Sequence, residues 1–145
     1  MIIIEFWKQV AIYDLKRYAN LETSINSIKD KIAALDIQLE GKGISYDTIS
    51  VAGGSVSVED KYVNCIALKE NLEKQLRINM LDKLAVARAI ESLSKEEQQI
   101  LRYAYINRTA KPIKSIMELC CVEKTRAYQL RDNALRNFTL AMYGR

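Results

Sequence analysis

The sequence predicts an all-α fold, in which a long N-terminal helical hairpin or coiled coil precedes a C-terminal module of shorter helices. Three observations carry that reading. Apolar residues in the first forty positions recur at alternating spacings of three and four, the 3.5-residue period of a helical seam. Five glycines and one proline in 145 residues are too few for a β-sandwich or barrel, which turns about every ten residues. The last third carries helix start and stop signals at short intervals, beginning with a Ser-x-x-Glu box at Ser94 and Glu97.

The first helix is read from its seam: Ile4, Trp7, Ala11, Asp14, Tyr18, Leu21, Ile25, Ile28, Ile32, Leu35 and Leu39, broken only by Asp14. At about 1.5 Å per residue such a helix is on the order of 50 Å long. It needs a partner to cover its seam. Gly41 ends it, because glycine supplies the left-handed conformation common just past a helix. Residues 41–57 hold four of the five glycines and several serines, and read as a linker, either a loop or a short hairpin through Tyr46–Val51. Helical patterning returns from about Val58 and runs to Leu93, with Leu68, Leu72 and Leu76 as one stripe and Met80, Leu84, Ala87 and Ile90 continuing the apolar side. Two long helices joined by a loop predict an antiparallel hairpin; the alternative pairs the first helix with its copy in a second chain. On either reading residues 1–92 form the hairpin and oligomerisation region, and residues 93–145 the second domain.

In that second domain Ser94 and Glu97 form a capping box, each satisfying a free amide of the other at the helix start. Ile100, Leu101, Ala104 and Tyr105 follow at helical spacing, until 107–112 (Asn-Arg-Thr-Ala-Lys-Pro) breaks the helix. Pro112 suits the first turn of the next helix, which turns Ile113, Ile116, Met117 and Cys120 inward. A tight turn at 121–123 leads to a final helix from Lys124 to about Tyr143, with Ala127, Leu130, Ala134 and Phe138 facing the core.

Composition excludes several kinds of chemistry. The chain has no histidine, which removes Ser–His–Asp and Cys–His nucleophilic sites and every histidine-containing zinc site. Gly41-Lys42-Gly43 lacks the pattern of a phosphate loop. Glu70, Glu73 and Asp82 lie among Lys69, Lys74 and Lys83 and read as solvated helical partners. Cys65, Cys120 and Cys121 make no CxxC pair, so a reducing compartment is expected; vicinal Cys120 and Cys121 read as small hydrophobes. No enzymatic activity, cofactor or metal is therefore expected. No stretch has the eighteen or so uncharged apolar residues of a membrane span, so a cytoplasmic chain without membrane association is expected.

Charge is uneven. Residues 1–93 hold twelve Lys or Arg against thirteen Asp or Glu, whereas residues 94–145 hold ten against five. Such asymmetry marks a nucleic-acid-reading end, or else a lysine-rich solvated surface. With Ala127, Leu130, Ala134 and Phe138 inward, the last helix offers Lys124, Thr125, Tyr128, Gln129, Asp132 and Arg136 on its opposite face, with Arg126 and Arg131 on the flanks. N-terminal residues of a recognition helix reach base edges, and flanking cations meet phosphates. Thr125, Tyr128, Gln129 and Asp132 are accordingly assigned to the groove and Lys124 to base or phosphate. Arg126, Arg131 and Arg136 go to phosphate with Lys111 and Lys114.

Helix, loop, short helix, tight turn and basic helix is the order of a helix-turn-helix. Ile90, Leu93, Ser94, Glu97, Ile100 and Leu101, then Ile116 and Leu119, then Val122 and the run Thr125–Phe138 resemble sigma-70 region 4. The chain resembles most the small phage regulators of the RinA/ArpU type, which carry that module behind a long helical half; Ile44-Ser-Tyr-Asp47 is similar to a segment ahead of their second helix. The departures are Cys121 where the pattern has a turn glycine, Glu123 where a Ser or Thr caps the recognition helix, and a loop at 106–111 about two residues longer. A non-glycine residue in left-handed geometry costs roughly 1–2 kcal/mol.

The resemblance implies a sequence-specific, DNA-binding transcription regulator, an activator of phage late genes working with bacterial RNA polymerase in the host cytoplasm. Its expected partners are double-stranded DNA, the polymerase and a second copy of the chain, a dimer being favoured. Two other readings stand beside it. A small terminase subunit for DNA packaging also joins a helix-turn-helix to helical oligomerisation, but usually puts the DNA module first. A helical interaction or assembly protein without DNA binding fits Glu123 and the missing turn glycine.

Overall fold

The computed structural model describes residues 2–41 and 58–145, and every regular element among them is helical. In chain order these are α1 (Ile2–Leu39), α2 (Val58–Glu91), α3 (Lys95–Leu101), a π-helical turn (Arg102–Ile106), α4 (Pro112–Cys120) and α5 (Lys124–Tyr143). The linker expected at 41–57, with its hairpin alternative, lies outside the described residues apart from Gly41, which takes φ +79 just past α1. No helix among the described residues is long and apolar enough to cross a membrane. Contacts divide the chain into two compact units, one of Thr23–Met80 and one of the residues up to Glu22 with Leu81–Arg145.

In the unit of residues 23–80, α1 buries Ile25, Ile28 and Leu35, as its 3.5-residue period requires. Asp36 pairs with Lys69, and the Cys65 thiol donates to Gln38 Oε1 at 3.6 Å. The two segments therefore run antiparallel in this unit, so here the seam finds cover within the chain. The stripe expected on α2 is corrected: Leu68 and Met80 are about half exposed, at 51% and 47%. A spacing of four throughout drifts by about 40° per step around a helix of 3.6 residues per turn. The row that turns inward alternates four and three, through Cys65, Lys69, Leu72, Leu76 and Asn79. Asn79 is buried, and its Oδ1 accepts from Gln75 Nε2 at 2.8 Å.

The other unit has one core. Ala11 and Leu15 from α1, Val86, Ala89 and Ile90 from α2, Ile100 and Leu101 from α3, Ile116 from α4, and Ala127, Ala134, Leu135 and Phe138 from α5 pack as a single cluster. The inward residues expected on the last three helices are there, with Ile113, Met117, Cys120 and Leu130 half-buried against the cluster. Leu15, Val86 and Ala89 join it without having been expected, whereas Leu84 and Ile4 are exposed at 44% and 54%. Phe138 is fully buried, so truncating it to alanine costs about 3–5 kcal/mol. Thr139, also buried, donates to the carbonyl of Leu135 at 2.7 Å, which satisfies its hydroxyl inside the helix. Asp14, the break in the α1 seam, accepts a hydrogen bond from the Tyr143 hydroxyl, and Trp7 stacks at 4.8 Å on the Tyr143 ring. Burial, then this carboxylate, pushes the Tyr143 phenol well above its ordinary pKa.

Helix ends follow the sequence signals. Both halves of the Ser94–Glu97 capping box form, and Pro112 opens α4. The helix after Ser94, expected to be regular, instead widens at residues 102–106, where Asn107 N–H reaches the carbonyl of Arg102. Leu101 and Ile106 are both buried and lie five residues apart, a separation that i→i+5 winding brings to one face.

Candidate nucleic-acid interface

α5 is held from beneath by its apolar face, and this fixes what it shows outward. Its first turn follows a turn in which Cys121 adopts φ 54, ψ 49. Cys121 is the one non-glycine residue of positive φ among those described. The chain therefore takes the left-handed turn with a cysteine in place of glycine. Glu123 stands at the N-cap in extended geometry, and its side chain makes no capping hydrogen bond. Its carboxylate still lies near the positive end of the helix dipole.

Lys124, Thr125, Arg126, Tyr128, Gln129, Asp132 and Arg136 are all exposed on α5, and Arg131 is half-buried. Several are already engaged with one another. Arg126 Nη1 donates to Gln129 Oε1 at 3.2 Å. Arg131 donates to Asp132 Oδ1 from Nη2 at 3.1 Å and from Nε at 3.3 Å. Its guanidinium also sits 5.1 Å from the centre of the Tyr128 ring. An exposed ion pair of this kind is worth about 0–1 kcal/mol, so Arg131 can exchange Asp132 for another anion at little cost.

Four of the ten expected residues come together. Lys111, Lys114, Tyr128 and Arg131 line a cleft of about 390 Å³, with Lys16, Tyr105, Arg108, Ala104, Pro112 and Ile113 completing its walls. Lys124, Thr125, Arg126, Gln129, Asp132 and Arg136 are not among its lining residues. The loop that carries Arg108 and Lys111 is pinned: Thr109 N–H reaches the carbonyl of Tyr103 at 3.1 Å, and the Thr109 and Ser115 hydroxyls lie 3.1 Å apart. Burial pushes the Tyr105 phenol above its ordinary pKa, Arg131 and Arg108 opposing and Asp132 assisting. Tyr105 thus keeps its proton and remains a hydrogen-bond donor.

Lys16, Tyr105 and Arg108 were not foreseen. The added length of the loop at 106–111 is the sequence signal for Arg108. Lys16 had none, since only tertiary packing brings α1 beside residues 105–114. Cys120 is half-buried, and burial followed by the nearby Glu96 raises its thiol pKa; Cys121 is exposed. No group of three metal-ligating side chains occurs among the described residues.

Fold and site together define a protein whose described elements are all helical, with a basic, tyrosine-edged cleft beside the exposed polar face of its last helix. The model of a protein family described as protein of unknown function, DUF1492, matches residues 43–139, and the chain belongs to that family. No curated protein and no solved structure matches it.

Proposed function

We propose that the protein is a sequence-specific, DNA-binding transcription regulator of the RinA/ArpU type, with no enzymatic activity. On this reading residues 93–145 are a sigma region 4-like helix-turn-helix and α5 is the recognition helix. Residues 1–92 are the hairpin or coiled coil through which two copies associate. The protein acts in the bacterial cytoplasm, with host RNA polymerase, as an activator of phage late genes. The observation that carries the reading is the α4–turn–α5 unit. Its left-handed turn at Cys121 is followed by a helix whose buried face, Ala127, Ala134 and Phe138, leaves Lys124, Thr125, Tyr128 and Gln129 outward in the first turns. Those are the positions from which a recognition helix reads base edges.

Glu123 favours the second reading, a helical interaction protein that does not bind DNA, because its negative charge stands where a phosphate would approach α5. A fluorescence-anisotropy titration on duplex DNA separates the two. The regulator binds, with a log–log salt slope of about −0.9 for each phosphate neutralised. Gln129→Ala relaxes base preference by ~1–3 kcal/mol at one position. A promoter footprint with and without polymerase then tests activation. Absence of duplex affinity at low salt removes the DNA-binding reading.

A further inference from the structure

Five cations line the cleft between the loop at 107–111, the start of α4 and the flank of α5: Lys16, Arg108, Lys111, Lys114 and Arg131. No Asp or Glu among the described residues lines it. Lys16, Arg108, Lys111 and Lys114 make no ion pair among the described residues, and Arg131 has only the exposed Asp132. Elsewhere this chain does pair its charges, as Arg17 with Asp82 at 2.6 Å and Lys69 with Asp36. Concentrating unpaired like charge in a concave site costs self-repulsion and focuses a positive potential that draws in an anion.

The cleft also supplies directional donors. Lys111 occupies the N-cap of α4 without a side-chain cap, and Pro112 follows it. The amides of Ile113 and Lys114 are then among the first-turn N–H groups that have no intrahelical acceptor. Tyr105 adds a protonated hydroxyl, and Tyr128 an aromatic edge backed by the Arg131 guanidinium. The volume of about 390 Å³ lies in the range of ligand sites. Guanidinium groups, ammonium groups and amides converging on one concavity match phosphate oxygens.

We propose that this cleft binds phosphate groups, and that Lys16 of the N-terminal helix is one of their ligands. The phosphate belongs either to a DNA backbone seated beside α5 or to a free phosphorylated molecule. In its DNA form the proposal rests on the reading of the protein as a DNA binder. It then makes α1 part of the nucleic-acid interface rather than an oligomerisation element alone.

The test uses the full chain and five proteins: wild type, Lys16→Gln, Arg108→Gln, Lys16→Arg and the control Lys29→Gln. Lys29 is exposed on the same helix and does not line the cleft. All the altered side chains are exposed, and circular dichroism verifies that the variants fold alike. Labelled duplex DNA is titrated at several salt concentrations, and a nucleoside triphosphate is titrated separately by calorimetry. With DNA as the source, Lys16→Gln and Arg108→Gln each lower the salt slope by about one unit on every sequence alike, while Lys16→Arg and Lys29→Gln leave it unchanged. With a free ligand as the source, the triphosphate binds and Lys16→Gln weakens it about tenfold, as expected for one charge-assisted hydrogen bond.

If the wild type binds duplex and both glutamine variants behave like Lys29→Gln, the cleft is not the phosphate site in DNA binding. Together with the absence of Lys16-dependent triphosphate binding, that result overturns this proposal and leaves the DNA reading standing. If duplex does not bind but the triphosphate does, through Lys16, the DNA reading falls and the phosphate cleft stands. Binding of neither overturns both.

Discussion

Cys121 occupies a backbone conformation that its sequence neighbourhood signals and its side chain opposes. The helix before it ends, Val122 N–H returns to the carbonyl of Met117 at 3.1 Å, and the residue between must be left-handed. Glycine adopts that geometry without a Cβ penalty, while a cysteine at φ 54 carries it. The exposed thiol makes only a long contact to the Glu118 carbonyl at 3.9 Å, too weak to offset the cost. Cys121→Gly is therefore expected to stabilise the protein. Relief of roughly 1–2 kcal/mol, less the extra freedom that glycine adds to the unfolded chain, leaves about 0.5–1 kcal/mol. Thermal unfolding followed by circular dichroism checks it, with a rise of ~3 °C expected; a fall in melting temperature contradicts the strain argument. This residue was legible because a turn of two or three residues between helices has few backbone solutions. Asp14 was legible only as a break in the seam. Its partner Tyr143 lies 129 positions away, beyond the reach of any local pattern.

Among elements, the caps and ends were readable and the winding was not. Ser94, Pro112 and Gly41 act through neighbours within three or four residues, so their types determine where helices begin and stop. The π turn at residues 102–106 answers to the burial of both Leu101 and Ile106, a demand set by the core and not by local propensity. The inward row of α2 was misjudged for a related reason: leucine spacing suggested one face, while packing selects a row that includes Lys69 and Asn79. Glu97 shows how a local motif acquires a tertiary role. It accepts from the Ser94 amide at 3.3 Å and the Ser94 hydroxyl at 3.0 Å, and its other oxygen accepts from Asn137 of α5 at 2.5 Å. Burial alone would raise its pKa, but the bonds from Asn137 and Ser94 together hold it below the ordinary 4.5. A depressed carboxylate contributes stability that is complete above pH 4.5 and lost as pH falls through the lower folded value. The group is half-exposed, so solvent screening keeps the contribution small. Glu97→Gln should flatten that part of the pH–stability curve, as read by urea unfolding at closely spaced pH values. A variant with the same acid dependence as wild type would show that Glu97 is not its source.

At the scale of the molecule, helix content and the charged third were legible, whereas the meeting of α1 with the cleft was not. Periodicity assigns each residue to a face of its own helix; which faces meet is decided by packing. The same distinction governs association. The α1 seam, which the sequence leaves to either a hairpin partner or a second chain, finds cover from α2 in the unit of residues 23–80, yet this unit still exposes Ile37 at 57%, Val63 at 60%, Leu68 at 51% and Ile78 at 49%. A single helix-turn-helix offers little surface to DNA, and such readers gain affinity by pairing half-sites. On the proposed DNA-binding reading the protein is therefore expected to be a dimer that uses these exposed apolar residues. Leu68→Glu is the informative substitution, because an exposed position accepts a charge without unfolding the helix. Ile28→Asp is not, since Ile28 is buried and an unpaired buried carboxylate disrupts the fold itself. Sedimentation equilibrium across micromolar concentrations should find twice the 16.6 kDa chain mass for wild type and a single chain for Leu68→Glu, with circular dichroism unchanged. Weaker duplex binding by Leu68→Glu, with no change in base preference, should accompany the dissociation. A wild-type protein of 16.6 kDa at every concentration would leave those side chains without the partner proposed for them.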